Sequence, residues 1–108
     1  MSYSVSSIPL FDKQAKRLSK KYPSLAGDLK HLIKTLQKDP TQGTSLGSNF
    51  YKIRLAISSK GKGKSGGARI ITYVKVEATT VYLASIYDKS EQATVTDKEL
   101  RQIFDLLP

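Results

Sequence analysis

Cysteine and tryptophan are missing from this 108-residue chain, and histidine and methionine occur once each. No apolar run approaches the roughly 20 residues that a membrane-spanning helix needs. Without cysteine there is no disulfide and no thiolate chemistry. A lone histidine, His31, excludes a multi-histidine metal site. The N-terminal stretch MSYSVSSIPLF has no basic start followed by an apolar core. No secretory signal is therefore expected, and the cytoplasm is the expected compartment, with no membrane partner. Acid is scarce too: nine Asp and Glu stand against eighteen Lys and Arg, a net charge of +9.

What is present is consistent with one small folded domain spanning residues 1–108, with 39% hydrophobic and 25% charged residues. The charge is not spread evenly. Residues 51–69 carry six Lys or Arg and no acid, whereas residues 70–108 carry four bases and six acids. An acid-free basic block marks a site for a polyanion. At its centre lies KGKGKSGG, residues 60–67, with three lysines and four glycines.

That stretch contains Gly63-Lys64-Ser65, the last part of a phosphate-binding P-loop. The loop needs GxxxxGK[ST] between a strand and a helix. Here Ser58 occupies the first glycine position, and Gly-Gly and a β-rich run follow Ser65. The helix N-terminus that would hold a nucleotide phosphate is absent. As a flexible hairpin loop, the stretch lets backbone and lysines approach phosphates closely without reading base identity.

Periodicity predicts the elements. SYSVSSI alternates as a short strand. Phe11, Ala15, Leu18 and Tyr22 recur at helical spacing, and Pro23 breaks that helix. Leu25, Leu29, Leu32, Ile33 and Leu36 form a second helical stripe, ended by the turn-forming DPTQGTSLG. In FYKIRLAI, Tyr51, Ile53, Leu55 and Ile57 point one way and Lys52 and Arg54 the other. ARIITYVKV and VYLASIY give two more strands. Thr96 and Glu99 make a capping box ahead of Leu100, Ile103, Phe104 and Leu107, a short C-terminal helix. The expected fold is α+β, in the order β-α-α-β-β-β-α. An N-terminal strand and helical hairpin should pack on an antiparallel sheet.

The runs Tyr-Lys-Ile-Arg-Leu at 51–55, GGARIITY at 66–73 and VYLASIYDKSE at 81–91 resemble the sheet of the RelE/ParE toxin superfamily, and most of all its RelE and HigB-like branch. That resemblance implies a RelE-like fold and the toxin of a type II toxin–antitoxin system. It implies a ribosome-dependent endoribonuclease that enters the A site and cuts mRNA between the second and third codon positions. A 2′-hydroxyl attacks the adjacent phosphate and leaves a 2′,3′-cyclic phosphate. By the same resemblance, Lys52 and Arg54 match basic positions of the first central strand, Arg69 matches the arginine opening the next, and Lys89 a basic residue after the last.

Those residue types suit the chemistry. Arginines can hold a pentacoordinate phosphate through paired hydrogen bonds. A lysine crowded by other cations can move a proton. The family's C-terminal tyrosine matches Val95 here, so Tyr87, or Tyr73, is a candidate for its role. Asp88 resembles the acidic–aromatic strand end of HigB-like toxins and is a candidate base or orienter. His31 reads as a helix residue without a catalytic task. Lys60, Lys62 and Lys64, with Lys13, Lys16, Arg17, Lys20 and Lys21 on the first helix, are expected to contact ribosomal RNA.

The implied partners are a cognate antitoxin, the ribosome and mRNA; no metal and no cofactor is expected. Two other readings stay open: a ParE-like inhibitor of DNA gyrase, and a nucleic-acid-binding module without catalysis. Exchanging Lys60, Lys62 and Lys64 together for Ala should weaken ribosome association and flatten its salt dependence. Ribosome pelleting across a salt series measures this directly.

Overall fold

The computed structural model describes residues 2–108. Strand β1 is Ser4–Ser7, followed by helices α1, Pro9–Lys21, and α2, Leu25–Lys38. Four strands come next: β2 Thr44–Gly47, β3 Phe50–Leu55, β4 Ala68–Lys75 and β5 Thr80–Asp88. Helix α3, Asp97–Asp105, completes the chain.

Local chemistry accounts for the helix ends. Pro9 sits at the first helical position of α1, where its missing N–H costs nothing. Asp12 lies in the first turn and Lys20 and Lys21 in the last, each matched to the helix dipole. Tyr22, just before Pro23, is extended, as residues preceding proline tend to be, and α1 stops there. On α3 the capping box is present: Thr96 accepts from the Glu99 backbone, and the Glu99 side chain accepts from the Thr96 backbone.

The sheet runs in the order β1-β5-β4-β3-β2. It departs from the expected antiparallel sheet in two respects. β1 pairs with β5 in parallel, Ser4 opposite Thr80. Residues 44–47, read as part of a turn, form a short edge strand against β3. The Ser and Gly content of that segment hides a strand whose pairing is through the backbone. β3 also ends at Leu55, two residues earlier than expected.

β4 and β5 are central and almost wholly covered. Leu18, Leu25 and Leu36 of the helical hairpin are fully buried in one core with Ile70, Val74 and Val81 of the sheet. Each such side chain contributes about 1.5–3 kcal/mol. β5 carries a bulge at the step between Ile71 and Thr72 of β4. The Gln14 side-chain oxygen accepts from the Ile86 N–H at 2.9 Å and from the Ser85 hydroxyl at 3.1 Å, so α1 satisfies the backbone beside the bulge. On the opposite face Phe50 and Tyr73 meet Phe104 of α3, with ring centroids 6.5 and 5.9 Å away. Lys52 and Arg54 follow Phe50 at two-residue steps, so they share the α3 side of the sheet, as their spacing implied.

Gly67 lies where the chain re-enters the sheet. A Cβ there would strike the Leu55 carbonyl oxygen and crowd Ala56 Cα at 3.1 Å. Gly67→Ala should therefore cost about 2–3 kcal/mol. The thermal midpoint should fall by roughly 10 °C in a circular dichroism melt.

Candidate active site

Strand register builds the site. Arg54 on β3 lies directly opposite Arg69 on β4, and Arg69 lies opposite Tyr87 on β5. The three form a row across the three inner strands, one residue from the end of each. Side chains directly opposed in this way stand roughly 5 Å apart at Cβ, and like charges so placed repel. Among the described residues no carboxylate pairs with either arginine. Lys52 lies two residues from Arg54 on the same side and is half-buried. Two opposed arginines without a carboxylate partner can together hold an anion.

Exposure divides the row. Arg54 is open to solvent, whereas Arg69 is 5% exposed and Tyr87 6%. One Arg69 nitrogen, Nη1, donates to the Lys64 carbonyl at 2.8 Å and to the Ala68 carbonyl at 3.1 Å. The Tyr87 hydroxyl lies near Thr94 and Val95, yet among the described residues it has no partner in hydrogen-bond geometry. Burial raises its pKa, more than the Arg69 charge and the Thr94 contact lower it. Tyr87 is thus a neutral phenol at ordinary pH, with a proton to donate. Strand alternation assigns a side chain to a face and says nothing of what covers it, so the burial of Arg69 and Tyr87 was not legible in the sequence.

Asp88, a candidate base or orienter of a lysine, is closed off from solvent and holds a lysine, Lys60. The Asp88 side chain has no solvent exposure. Lys60 Nζ donates to Oδ1 at 2.7 Å, as do the Ser90 hydroxyl at 2.7 Å and the Ser90 N–H at 3.0 Å. The Tyr22 hydroxyl donates to Oδ2 at 2.7 Å. Burial alone would raise the Asp88 pKa. The hydrogen bonds from Lys60, Tyr22 and Ser90 outweigh it and hold the carboxyl well below the usual range. A carboxylate so placed is a poor base.

Lys60 departs from its expected role in gripping RNA. Its side chain is 10% exposed, bonded to Asp88 and Ser90, and sits 5.4 Å over the Tyr22 ring. The hydrogen bond to Asp88 raises its pKa, against the effect of burial. A charge run reads as a solvated face unless an acid is seen near it in sequence, and Asp88 is 28 residues away. The one available signal was an acid ending an otherwise apolar strand.

The loop is also less free than its glycines suggested. A 3-10 turn at Ser58–Lys60 opens it. Asp28 on α2 accepts from the Ser58 N–H and hydroxyl, at 3.0 and 2.7 Å. Burial acts to raise the Asp28 pKa, but these bonds and one from Ser24 lower it overall. Lys62 and Lys64 alone of the three loop lysines stand in solvent.

The remaining candidates are dispersed. Lys89 Nζ donates to the Ala93 carbonyl at 3.2 Å. Lys13, Lys16 and Lys20 are exposed on α1, where Arg17 forms an exposed ion pair with Glu91 at 3.0 Å. Such pairs hold little energy and leave the cation available. Tyr73 belongs to the aromatic cluster with Phe50 and Phe104. His31 is exposed on α2.

The family model for the RelE toxin of the RelE/RelB toxin–antitoxin system matches residues 10–106. The chain is similar in fold to a mutant of the E. coli toxin RelE in the free state. There the identity is 16%, with 98% of this chain and 94% of that chain covered, at a TM-score of 0.62. It is similar also to the toxin in the intact E. coli RelBE toxin–antitoxin complex: 19% identity, 81% and 96% coverage, TM-score 0.61. A third likeness is to the RelBE2 toxin–antitoxin complex of Mycobacterium tuberculosis: 14% identity, 82% and 92% coverage, TM-score 0.56.

Asp88→Ala would leave Lys60 and the Tyr22 hydroxyl without their partner, at a cost of about 3 kcal/mol near neutral pH. Because folding depresses the Asp88 pKa, its contribution is complete above the unfolded value near 3.9 and fades as pH falls towards the folded one. Denaturant titrations of both proteins should show a constant gap from about pH 5 to about pH 8, narrowing below about pH 4.

Proposed function

Because this chain belongs to the RelE toxin family of toxin–antitoxin systems, we propose that it is a ribosome-dependent endoribonuclease that cuts mRNA in the A site. The observation that carries this reading is the row Arg54, Arg69 and Tyr87, which opposes two arginines without a carboxylate and sets a neutral phenol beside them.

The reaction is transesterification. The 2′-oxygen of a nucleotide bonds to the adjacent phosphorus, and the bond from phosphorus to the 5′-oxygen breaks. A 2′,3′-cyclic phosphate and a free 5′-hydroxyl result. Negative charge builds on the non-bridging oxygens as the phosphorus becomes pentacoordinate. Fixed cations aimed there favour the transition state over the ground state. Arg54 at the open side and Arg69 behind it supply that charge. Proton transfer falls to the groups around them. Tyr87 has a proton to give the leaving oxygen, and Lys52, half-buried beside Arg54, is the candidate to take one from the 2′-hydroxyl. Asp88, with both oxygens occupied, holds the fold and takes no part in the chemistry.

Binding to the ribosome rests on charge. Lys62 and Lys64 of the loop and Lys13, Lys16, Arg17 and Lys20 of α1 meet rRNA phosphates, each contact adding about one to the salt slope. The protein that restrains this toxin is a cognate antitoxin, as in the two solved complexes it resembles. An acidic segment laid over Arg54 and its neighbours would suit it. A gyrase inhibitor, the neighbouring reading, has no need of the arginine row.

Primer extension on a reporter mRNA in a translating bacterial extract tests the proposal. Cuts in frame with codons should appear with ribosomes and be absent without them. Arg54→Ala and Arg69→Ala should each reduce cleavage by about 10²–10³. Arg54 is exposed, so its variant reports on chemistry without a change in stability; Arg69→Ala is compared at equal folded fraction. Intact mRNA would overturn the nuclease and direct attention to gyrase-dependent DNA breaks.

A further inference from the structure

We propose that Lys60 is a positioning residue for the arginine row: by engaging buried Asp88 it fixes the strap of residues 60–67, whose Lys64 carbonyl oxygen orients the Arg69 guanidinium. This rests on the reading of the row as the nuclease centre, and adds to it a residue that touches no RNA.

Arg69 needs an external guide. Its guanidinium has no carboxylate partner among the described residues. Its two hydrogen bonds go to backbone carbonyls. Ala68 is its own neighbour in the chain, so that contact orients it little. The Lys64 carbonyl, five residues away, is the contact that can fix the plane of the group. Both bonds use Nη1, which leaves the other donors for an anion.

The strap cannot hold that carbonyl in place by itself. Residues 61–65 are exposed, and Gly61 and Gly63 adopt positive φ of 70° and 61°. The only side-chain bond within that segment is from the Ser65 hydroxyl to the Lys62 carbonyl, at 3.4 Å. Fixity must come from the two ends. At the far end the Gly67 N–H donates to the Lys64 carbonyl at 3.3 Å, and the Lys89 N–H donates to the Gly67 carbonyl at 3.0 Å. At the near end Ser58 and Ser59 bond to Asp28 and Ser24. Lys60 is the last fixed point before the glycines, held at 2.7 Å by a carboxylate that is itself held by Tyr22 and Ser90. Without the Lys60 side-chain anchor, the near end of the strap is held to the Ile57 carbonyl by the Lys60 and Gly61 N–H groups, at 2.9 and 3.4 Å, and residues 62–66, with the Lys64 carbonyl among them, lose their tie to Asp88.

Stability alone would explain an ion pair at this corner. The connection to Arg69 is what a merely structural pair would lack, so the test reads Arg69 itself. Lys60→Met removes the charge at similar length. Lys60→Gln keeps a donor for Asp88 and serves if the Met variant does not fold, and Lys60→Arg keeps both charge and donors. The first readout is the Arg69 Nε–H resonance in nitrogen-15 NMR spectra, assigned with Arg69→Lys. The second is single-turnover mRNA cleavage on programmed ribosomes over a range of toxin concentrations, at a temperature where every variant is folded.

The expected result is a shifted, exchange-broadened Arg69 signal in Lys60→Met. The saturating cleavage rate should fall by about tenfold to a hundredfold with the half-saturating concentration little changed. Lys60→Arg should restore both. A folded Lys60→Met or Lys60→Gln with the wild-type Arg69 signal and rate would overturn the proposal, as would a loss of rate that follows the unfolded fraction alone. If the wild type cuts no mRNA but the Arg69 signal still moves with Lys60, the positioning stands and the nuclease reading fails.

Discussion

A carboxylate without solvent must be compensated where it lies, and Asp88 imposes that constraint on this fold. Moving such a group out of water costs several kcal/mol, recovered only when the opposing charge and the remaining hydrogen bonds are well placed. Asp88 terminates the inner strand β5, so its partners have to come to that strand's end. Tyr22 arrives from the close of α1, Lys60 from the loop after β3, and Ser90 from the turn that follows. One charge thereby ties the helical hairpin, the glycine loop and the sheet together at a single corner. The arginine row lies one residue away along the strands, Ala68 being opposite Asp88 and Arg69 opposite Tyr87.

The row itself runs against stability. Two arginines face each other across β3 and β4, and the buried Tyr87 hydroxyl beside them has no partner among the described residues. Sequence and structure disagree with folding rules most often where function demands it. Here the cost is offset by a core that covers both faces of β4 and β5, from the leucines of the hairpin to the aromatic trio of Phe50, Tyr73 and Phe104. Asp88 and the row bury charge differently: Asp88 is saturated with partners, whereas Arg69 has backbone carbonyls alone as partners among the described residues, and Arg54 stands in solvent.

Much of the fold was legible because it rests on local patterns. The leucine spacing of α2, the proline at the start of α1 and the capping box of α3 each have a physical cause within a few residues. Alternation in β3 correctly set Lys52 and Arg54 on the side away from Ile53. What escaped depends on long-range geometry. Alternation does not encode strand direction, so the parallel pairing of β1 was invisible. The edge strand at Thr44–Gly47 carries turn-like residues and is held through its backbone. Lys60 and Lys62 look alike in sequence, and only the position of Asp88 makes one an anchor and the other a solvent-facing cation.

The parallel pairing of β1 with β5 has a kinetic meaning. Ser4 meets Thr80, so the first strand waits for the last before it has a partner. Loop-closure entropy makes such contacts late in folding, after local helices and hairpins have formed. Tyr87 and Asp88 are supplied by that same last strand. During synthesis, a chain still short of β5 therefore has two helices and a hairpin but neither its closed sheet nor its arginine–phenol row. The row of Arg54, Arg69 and Tyr87 is therefore assembled only once β5 has paired with β4.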